Sequence, residues 1–345
     1  MTSRELVIRT LNRQPVARAP RDLWLAPGVQ AARPDEVAEI NARFPSDFAA
    51  PEFKPLPSGR AADKPASEDE YADAWGCAFR ASPGDPEGEP RFSPLSDLRR
   101  LNDYKPPLEA LEPDRFAKVD RGCETTSRFV LARADVRPFE RLRMLHGPEA
   151  TLASLARDGQ PIRRLLAAVH DYNCRELELW AGTQVDGVAI RDAWGSAEGL
   201  LLSAEIWQER FRPLYREYCE ILHRRDKFVF FQSGGNIGDI FGELVEIGVD
   251  AIHTDFSAVD FVQLARPYRG RVTFWGGLDR EQVLLGGRPD DVRQAVERVR
   301  RELDFGSGGA IAQCRWEPGV PLRNIAAFFE KWLLPLPMHA PGIRD

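Results

Sequence analysis

The sequence predicts an α/β fold, namely a (β/α)8 TIM-type barrel with a loop-rich N-terminal extension over the rim. After residue 126, short apolar stretches typical of buried strands alternate with amphipathic stretches of ten or more residues. Such alternation indicates right-handed βαβ units and a parallel sheet. The alternative is an open, doubly wound sheet, but no Gly-x-Gly-x-x-Gly motif follows the first strand. The barrel is therefore the favoured fold.

Seven barrel strands and eight helices are predicted. The strands are at 21–25, 128–132, 185–190, 227–231, 249–253, 271–275 and 309–313. The helices are at 3–12, 138–157, 161–181, 204–224, 238–246, 258–267, 289–303 and 321–333. Seven strands come close to the eight of a closed barrel.

Residues 26–126 differ in composition from the rest of the chain, because they are rich in Pro, Gly and charged residues. Such a stretch is typical of irregular loops and hairpins that cover a core. Residues 71–80 within it have strand character. We interpret 1–345 as a single barrel domain and 26–126 as an irregular extension within it.

The composition excludes some classes of function. The formal net charge of −6 argues against a nucleic acid or an anionic membrane surface as partner. No apolar run approaches the roughly 18–20 residues that span a bilayer. The N-terminus is polar and lacks the apolar core of a signal peptide, so the expected location is the cytoplasm.

The five cysteines are odd in number and widely spaced, and no Cys-x-x-Cys pair occurs. This usage predicts neither a disulfide framework nor a zinc site recognisable from spacing. Cys174 and Cys219 lie in helical patterns, and we interpret both as buried thiols.

Polar and aromatic residues follow most of the predicted strands. In a parallel barrel the ligand lies beyond the C-terminal ends of the strands, so these residues are candidates for a site. The clearest case is the strand at 185–190, which runs directly into Arg191-Asp192-Ala193-Trp194. A single Asp after a strand usually caps a helix. Six strands that end in this way indicate a functional rim.

Several short motifs recur in or near the predicted strand ends. They are Asp192-x-Trp194-Gly195, Ser233-Gly-Gly-Asn236, Gly248-Val249-Asp250, Trp275-Gly276-Gly277-Leu278-Asp279, Pro318-Gly-Val-Pro321-x-x-Asn324-Ile325 and Phe139-Glu140-Arg141. These motifs resemble those of the uroporphyrinogen decarboxylase superfamily, which also contains corrinoid-linked methyltransferases acting on methanol, methylamines or coenzyme M. With the N-terminal Arg4-Glu5 and Arg18-x-Pro20, the resemblance covers nearly the whole chain. It implies a (β/α)8 barrel with its site at the C-terminal rim.

The chain departs from the decarboxylases of that superfamily where they bind substrate. They carry an Arg-rich segment after the first strand, whereas this chain has Leu23-Trp24-Leu25-Ala26-Pro27-Gly28. Their substrate tyrosine corresponds to Leu155 and their late histidine to Cys314. Without paired Arg–carboxylate contacts, an octacarboxylate porphyrinogen is implausible as substrate.

The chain also departs from the methyltransferase branch. That branch uses zinc, held by a His-x-Cys pair and a later Cys, to activate a substrate thiol or alcohol. The corresponding residues here are Gln232, Gly234 and Cys314, and the first two cannot replace imidazole and thiolate. No zinc is expected at this position. Cys314 is then either an ordinary buried thiol or a thiolate favoured by Arg315. A different metal site has no spacing signature; its donors would be Asp192, His253, Asp255 and Cys314.

The resemblance implies an enzyme that acts on a small substrate by methyl transfer with a corrinoid. The chain lacks the Asp-x-His-x-x-Gly signature of a corrinoid domain, so a partner protein would carry the corrinoid. One alternative is a decarboxylase or related lyase in which Asp192 or Asp255 stabilises a protonated intermediate. The other is a catalytically inactive, ligand-binding barrel.

The expected site therefore has two groups of residues. The catalytic candidates are Asp192, His253, Asp255 and Cys314. The substrate-binding candidates are Trp24, Trp194, Gln232, Ser233, Asn236, Trp275 and Arg315. No tightly bound cofactor or metal is expected; the expected partners are a small-molecule substrate and a corrinoid protein, and the sequence leaves a homodimer open.

Overall fold

The computed structural model describes residues 1–53, 70–82, 85–254, 263–264, 266–276, 278–303 and 308–334. The chain divides into two compact units. Unit 1 contains residues 1–48 and those from 251 onward, and unit 2 contains residues 49–250.

The described residues contain the following elements. The strands are β1 (Arg21–Leu25), β2 (Phe48–Ala49), β3 (Glu70–Ala72), β4 (Ala78–Ser82), β5 (Asp85–Phe92), β6 (Phe129–Arg133), β7 (Gly187–Arg191), β8 (Phe228–Gln232), β9 (Ala251–His253), β10 (Thr273–Trp275) and β11 (Ala310–Trp316). The helices are α1 (Ser3–Leu11), α2 (Val29–Ala32), α3 (Pro34–Arg43), α4 (Val119–Glu124), α5 (Pro138–His146), α6 (Pro148–Arg157), α7 (Gln160–Ala181), α8 (Ala204–Ile206), α9 (Arg212–His223), α10 (Gly238–Glu246), α11 (Pro289–Leu303) and α12 (Leu322–Leu333).

Unit 1 has four parallel strands in the order β1-β11-β10-β9. All residues of the strand β11 are buried except Arg315, which is half-buried. Strands buried on both faces have this pattern in α/β folds. The helix α12 packs on β11 and on α11 and buries Ile325, Phe328 and Phe329.

Unit 2 has three parallel strands in the order β8-β7-β6. The long helix α7 packs against α9 and buries an apolar stripe that includes Leu165, Val169 and Leu177. A separate antiparallel sheet, β3-β4-β5, lies within the stretch that the composition sets apart.

The predicted (β/α)8 fold is confirmed, with β1, β2 and β6–β11 as the barrel strands of the described residues. The seven predicted strands are present within three residues of their predicted bounds. The predicted helix at 138–157 is two helices, because Gly147-Pro148 interrupts it and Pro cannot continue a helix. Most of the helix predicted at 258–267 falls outside the described residues.

The stretch 26–126 is more regular than expected. It contains the ten-residue helix α3. Pro34 is at the first helical position, and Asp35 and Glu36 lie in the first turn. This is a common start for a helix, because Pro costs no hydrogen bond there and acids favour the N-terminus. That residues 1–345 form a single barrel domain stays a prediction.

Among the described residues, no helix is long and apolar enough to cross a membrane.

Candidate functional site

The pairing of the strands in unit 1 determines which strand-end side chains share a face. Residues paired between parallel strands lie on the same face, and successive residues alternate. Asp22 pairs with Gln313, and Trp24 pairs with Arg315. Trp275 pairs with Ile311, which is two residues before Gln313 and so on the same face. These side chains therefore belong together.

On this face lies a group that we call the tryptophan–histidine cluster: Asp22, Trp24, His253, Trp275 and Gln313. The indole Nε1 atoms of Trp24 and Trp275 both donate to Asp22 Oδ2, at 2.7 and 2.8 Å. The two indole rings meet edge to face with centroids 5.0 Å apart, and the His253 ring lies 4.9 Å from Trp24. The buried Asp22 carboxylate thus fixes the orientation of both indoles.

The imidazole of His253 has a defined orientation. Its Nδ1 lies 2.6 Å from the backbone oxygen of Trp275. A carbonyl oxygen only accepts, so Nδ1 carries the hydrogen of this contact. His253 is half-buried at the end of β9. The hydrogen bond to the backbone of Trp275 thus fixes the orientation of the imidazole ring.

Gly276 allows the side chains of His253 and Gln313 to lie close to the backbone after Trp275. A Cβ atom at Gly276 would lie 2.8 Å from Gln313 Oε1 and 2.9 Å from His253 Nδ1, and the backbone φ is +106°. Both the contact distances and the conformation favour glycine. The Gly that follows Trp275 in the sequence motif is thus explained by the position of His253.

Cys314 does not belong to the cluster. It pairs with Leu23, so it lies on the opposite face of the strands from Trp24 and Gln313. Its side chain is buried, and this burial raises the pKa of the thiol. The neighbouring Arg315 donates toward Glu317, with Nε 2.7 Å from Oε1. Of the two interpretations of Cys314, the structure supports the ordinary buried thiol.

In unit 2 the same alternation separates Gln232 from Asp192. Arg191 pairs with Gln232, and Arg133 pairs with Ala189, so Arg133, Arg191 and Gln232 share a face. Arg133 donates to Gln232 Oε1 at 3.4 Å. Asp192 follows Arg191 and therefore lies on the opposite face. Ser233, which follows Gln232, lies on that same face.

Asp192 holds the start of a helix. Its Oδ1 accepts from the backbone N–H of Glu140 at 2.7 Å, and its Oδ2 accepts from that of Phe139 at 2.9 Å and from Tyr215 OH. The carboxylate thus binds two of the N–H groups that are left unpaired at the N-terminus of α5. Burial raises the pKa of Asp192 to about 6, although these hydrogen bonds oppose the shift.

Trp194 is fully buried among aromatic rings. It stacks on Phe139 at 4.1 Å, and its Nε1 donates to Tyr215 OH at 2.8 Å. Its backbone N–H donates to Ser233 Oγ at 3.1 Å. Asn236 Oδ1 accepts from the backbone N–H of Gly238 at 2.9 Å, at the start of α10. Each of these side chains thus supports a loop or helix end.

The loops after β7 and β8 pack backbone against backbone. A Cβ at Gly195 would lie 2.6 Å from the backbone nitrogen of Asn236, and a Cβ at Gly235 would lie 2.3 Å from the carbonyl carbon of Gly195. Neither position has room for a side chain. The Gly residues of both motifs therefore serve loop packing in unit 2.

Glu140 is a candidate that the sequence analysis missed. It is buried, with Arg137 and Arg191 nitrogens each 3.8 Å from its carboxylate. Burial raises its pKa to about 7, with Arg137 opposing the shift. A carboxyl group that titrates near neutral pH can carry a proton in a reaction. In the sequence Glu140 appears only within the Phe139-Glu140-Arg141 motif, and its burial becomes visible in the folded protein.

The residues at the zinc position of the methyltransferase branch do not fit the ion. Gln232 Oε1 accepts from Arg133, Gly234 has no side chain, and the Cys314 thiol is buried with a raised pKa. Zinc needs deprotonated thiolates or imidazoles. Asp255, a predicted catalytic residue, lies outside the described residues.

The structure thus groups the predicted residues in two sets. Trp24, His253 and Trp275 come together in unit 1 through Asp22, which the prediction of site residues omitted. Asp192, Trp194 and Ser233 come together in unit 2 on the face toward α5 and α9.

The chain is similar to two solved structures and to one family model. A solved methyltransferase from Methanosarcina mazei matches with a TM-score of 0.67 and 14% identity, over 96% of this chain and 98% of that one. An intracellular xylanase from Thermoanaerobacterium saccharolyticum matches with a TM-score of 0.41 and 10% identity, over 90% and 95%. No curated protein matches the sequence. The family model described as uroporphyrinogen decarboxylase (URO-D) matches residues 71–332, and the chain therefore belongs to the uroporphyrinogen decarboxylase family.

Proposed function

We propose that this protein is an enzyme that transfers a methyl group between a small thiol or alcohol and a corrinoid carried by a partner protein. The observation that carries the proposal is the fixed orientation of His253. Its Nδ1 donates to a backbone carbonyl, and its ring lies beside two indole rings. An imidazole held in this way can act as a general base on a substrate nucleophile through Nε2.

The role of His253 is to take the proton of the substrate thiol or alcohol. The electron pair of the sulfur or oxygen would then form the bond to the methyl carbon, while the bond between that carbon and the corrinoid breaks and its electron pair stays with the corrinoid. The proton stays on Nε2. In the zinc-dependent branch the metal favours the deprotonated substrate, whereas here the imidazole does so by proton transfer. The corrinoid partner would supply or accept the methyl group.

The indole rings define the size and polarity of the substrate. Trp24 and Trp275 are held by Asp22 and present apolar surface next to His253. Apolar walls with one polar group are typical of sites for small organic molecules. An acidic residue on this face disfavours a polycarboxylate, because its charge would repel the substrate.

A decarboxylase or lyase is the second candidate, and a different observation favours it. Arg133 and Arg191 lie on one face of neighbouring strands, with Gln232 beside them. Guanidinium groups bind carboxylates in bidentate geometry. Glu140, with a pKa of about 7, lies 3.8 Å from Arg191 and can exchange a proton. This arrangement fits a small carboxylic acid.

The test uses the purified full chain with methylcobalamin and a panel of small thiols and alcohols. Methyl transfer is followed by the absorbance change of the corrinoid and by mass spectrometry of the methylated product. We expect H253Q to lower turnover by about 10²–10⁴-fold, the usual contribution of a general base. H223Q is the matched control, because His223 also has one ring nitrogen hydrogen-bonded, to Asp250 at 2.9 Å.

The outcomes separate the three candidate functions. Methyl transfer that depends on His253 but not on His223 supports the proposal. Release of CO2 from a small acid, lost in R191Q, supports the lyase. Ligand binding by calorimetry without turnover of either kind supports the inactive, ligand-binding barrel and contradicts both enzymes.

A further inference from the structure

A second cluster of metal-binding side chains lies in unit 2, on the outer helices. His170 and Cys174 are four residues apart on α7 and therefore share a face of that helix. Glu217 lies on α9, which packs against α7. One donor atom from each of the three residues lies within 4.8 Å of the others. We propose that His170, Cys174 and Glu217 bind a divalent transition metal, with Zn²⁺ as the expected ion.

The distances between the donor atoms fit a tetrahedral metal. His170 Nε2 lies 3.1 Å from Glu217 Oε2, and Cys174 Sγ lies 3.7 Å from His170 Nε2 and 3.8 Å from Glu217 Oε1. With zinc–ligand bonds of about 2.0–2.3 Å, tetrahedral geometry places such donors about 3.4–3.6 Å apart. One donor atom from each residue already lies within 4.8 Å of the others, and side-chain shifts would bring the three atoms to this spacing around the ion. Water would complete the coordination.

Tyr218 orients the imidazole for this role. Its hydroxyl lies 3.1 Å from His170 Nδ1 and 3.3 Å from the Asn173 amide nitrogen. A histidine that binds metal through Nε2 donates its Nδ1 hydrogen to a neighbouring acceptor, which fixes the ring plane. The buried Tyr218 oxygen is placed to accept that hydrogen. The cluster thus has both metal donors and a supporting contact.

The charge around Cys174 also favours a cation. The carboxylates of Glu217, Asp171 and Glu178 place negative charge near its sulfur atom. A divalent cation bound to sulfur replaces the thiol proton and offsets the surrounding negative charge. The site therefore stabilises a metal thiolate more than a free thiolate.

The metal has a path to the site. Glu217 is 54% exposed, whereas His170 is 14% exposed. His170 also lines a cavity of about 420 Å³ with Leu166, Glu209 and Leu214. Solvent therefore reaches the cluster from the surface of α9. An ion bound here would join α7 to α9, so metal binding would stabilise this helix pair.

The experiment measures metal binding directly. The full chain is stripped with a chelator and titrated with Co²⁺, and the thiolate-to-cobalt charge-transfer absorption reports coordination by sulfur. We expect one equivalent of Co²⁺ per chain, displaced by Zn²⁺. The C174S and H170Q variants are expected to lose at least about 100-fold in affinity, and C174S also loses the charge-transfer band. Binding should weaken as pH falls, because protons compete with the metal ion for its ligands.

Two further variants keep the test decisive. H223Q removes a histidine–carboxylate contact on the same helix α9 that is not part of the cluster, and it should bind the metal normally. E217Q changes an exposed side chain, so it should fold even if the α7 variants do not, and it should weaken binding. The absence of a charge-transfer band in the wild-type protein, or its persistence in C174S, would overturn the proposal.

Discussion

The strand ends of unit 1 and unit 2 have similar residues but use them differently. In unit 1, Asp22, Trp24 and Trp275 lie on one face and contact each other near His253. In unit 2, Asp192 and Trp194 lie on the face toward the helices and are fully buried in their packing.

The difference comes from strand alternation. In unit 2, Arg191 and Gln232 share one face, and the next residue along each strand falls on the other. A shift of one position along a strand moves a side chain from one face to the other. A polar residue after a strand is thus a site candidate only when its face is known. The following predictions test this contrast.

The largest expected effect distinguishes the two tryptophans that were both predicted to bind substrate. W194A should lower the free energy of unfolding by about 3–5 kcal/mol, because it leaves a large cavity among Phe139, Phe211 and Tyr215. W24A should cost less, about 1–2 kcal/mol, because Trp24 is half-buried and its truncation opens onto space that solvent can reach. Urea unfolding at one pH measures both.

The control is the conservative pair W194F and W24F, which also serves if W194A does not fold. Both should fold, and W194F should be the more destabilised of the two. Equal losses for W194A and W24A would contradict the contrast between the buried and the half-buried position.

A second prediction concerns the pH dependence that Glu140 gives to unit 2. Burial raises the folded pKa of Glu140 to about 7 from a usual value of 4.5, so the folded state binds more protons between these values. Stability should therefore fall as pH rises through this window. E140Q removes the titration, and its stability relative to wild type should improve by about 2–3 kcal/mol between pH 4.5 and pH 8.

Asp47 in unit 1 provides the opposite case. It is buried and accepts from Ser3, Arg18 and the backbone of Arg21, and its pKa is lowered because these contacts outweigh its burial. The cost of D47N should shrink as pH falls below the usual value of 3.8, since the stabilisation by the ionised group is lost there.

A relative stability of E140Q that does not change with pH would show that Glu140 is not buried as a titrating carboxyl group.

The fold was largely predictable from the sequence, because periodicity reports burial. The continuous apolar strands and the amphipathic helices after residue 126 define βαβ units without further information. Gly147-Pro148 was also visible in the sequence as a possible helix break. The helical spacing of apolar residues continues across it, and for this reason 138–157 was predicted as one helix. The helix α3 was missed because the Pro-rich composition around it outweighed its own start signal, Pro34-Asp35-Glu36.

The site was less predictable, because the sequence does not show which face a strand-end residue occupies. Gly195 and Gly235 belong to two motifs of the predicted rim, and the structure shows that they allow two loops to touch. Asp22 was visible beside Trp24, but its two indole donors come from different strands. The raised pKa of Glu140 depends on burial that arises only in the folded protein.

The smallest expected effect tests the face on which Cys314 lies. Cys314 pairs with Leu23 and is buried, whereas Gln313 and Arg315 lie on the face of the tryptophan–histidine cluster. C314A should cost about 1 kcal/mol in the free energy of unfolding, because it removes one buried sulfur atom. C314S should cost about 1 kcal/mol more than C314A, because a hydroxyl buried without a partner loses its hydrogen bonds to water. Urea unfolding of both variants measures the order. If Cys314 instead faced the polar side chains of the cluster, the serine hydroxyl would find a partner there, and C314S would be at least as stable as C314A.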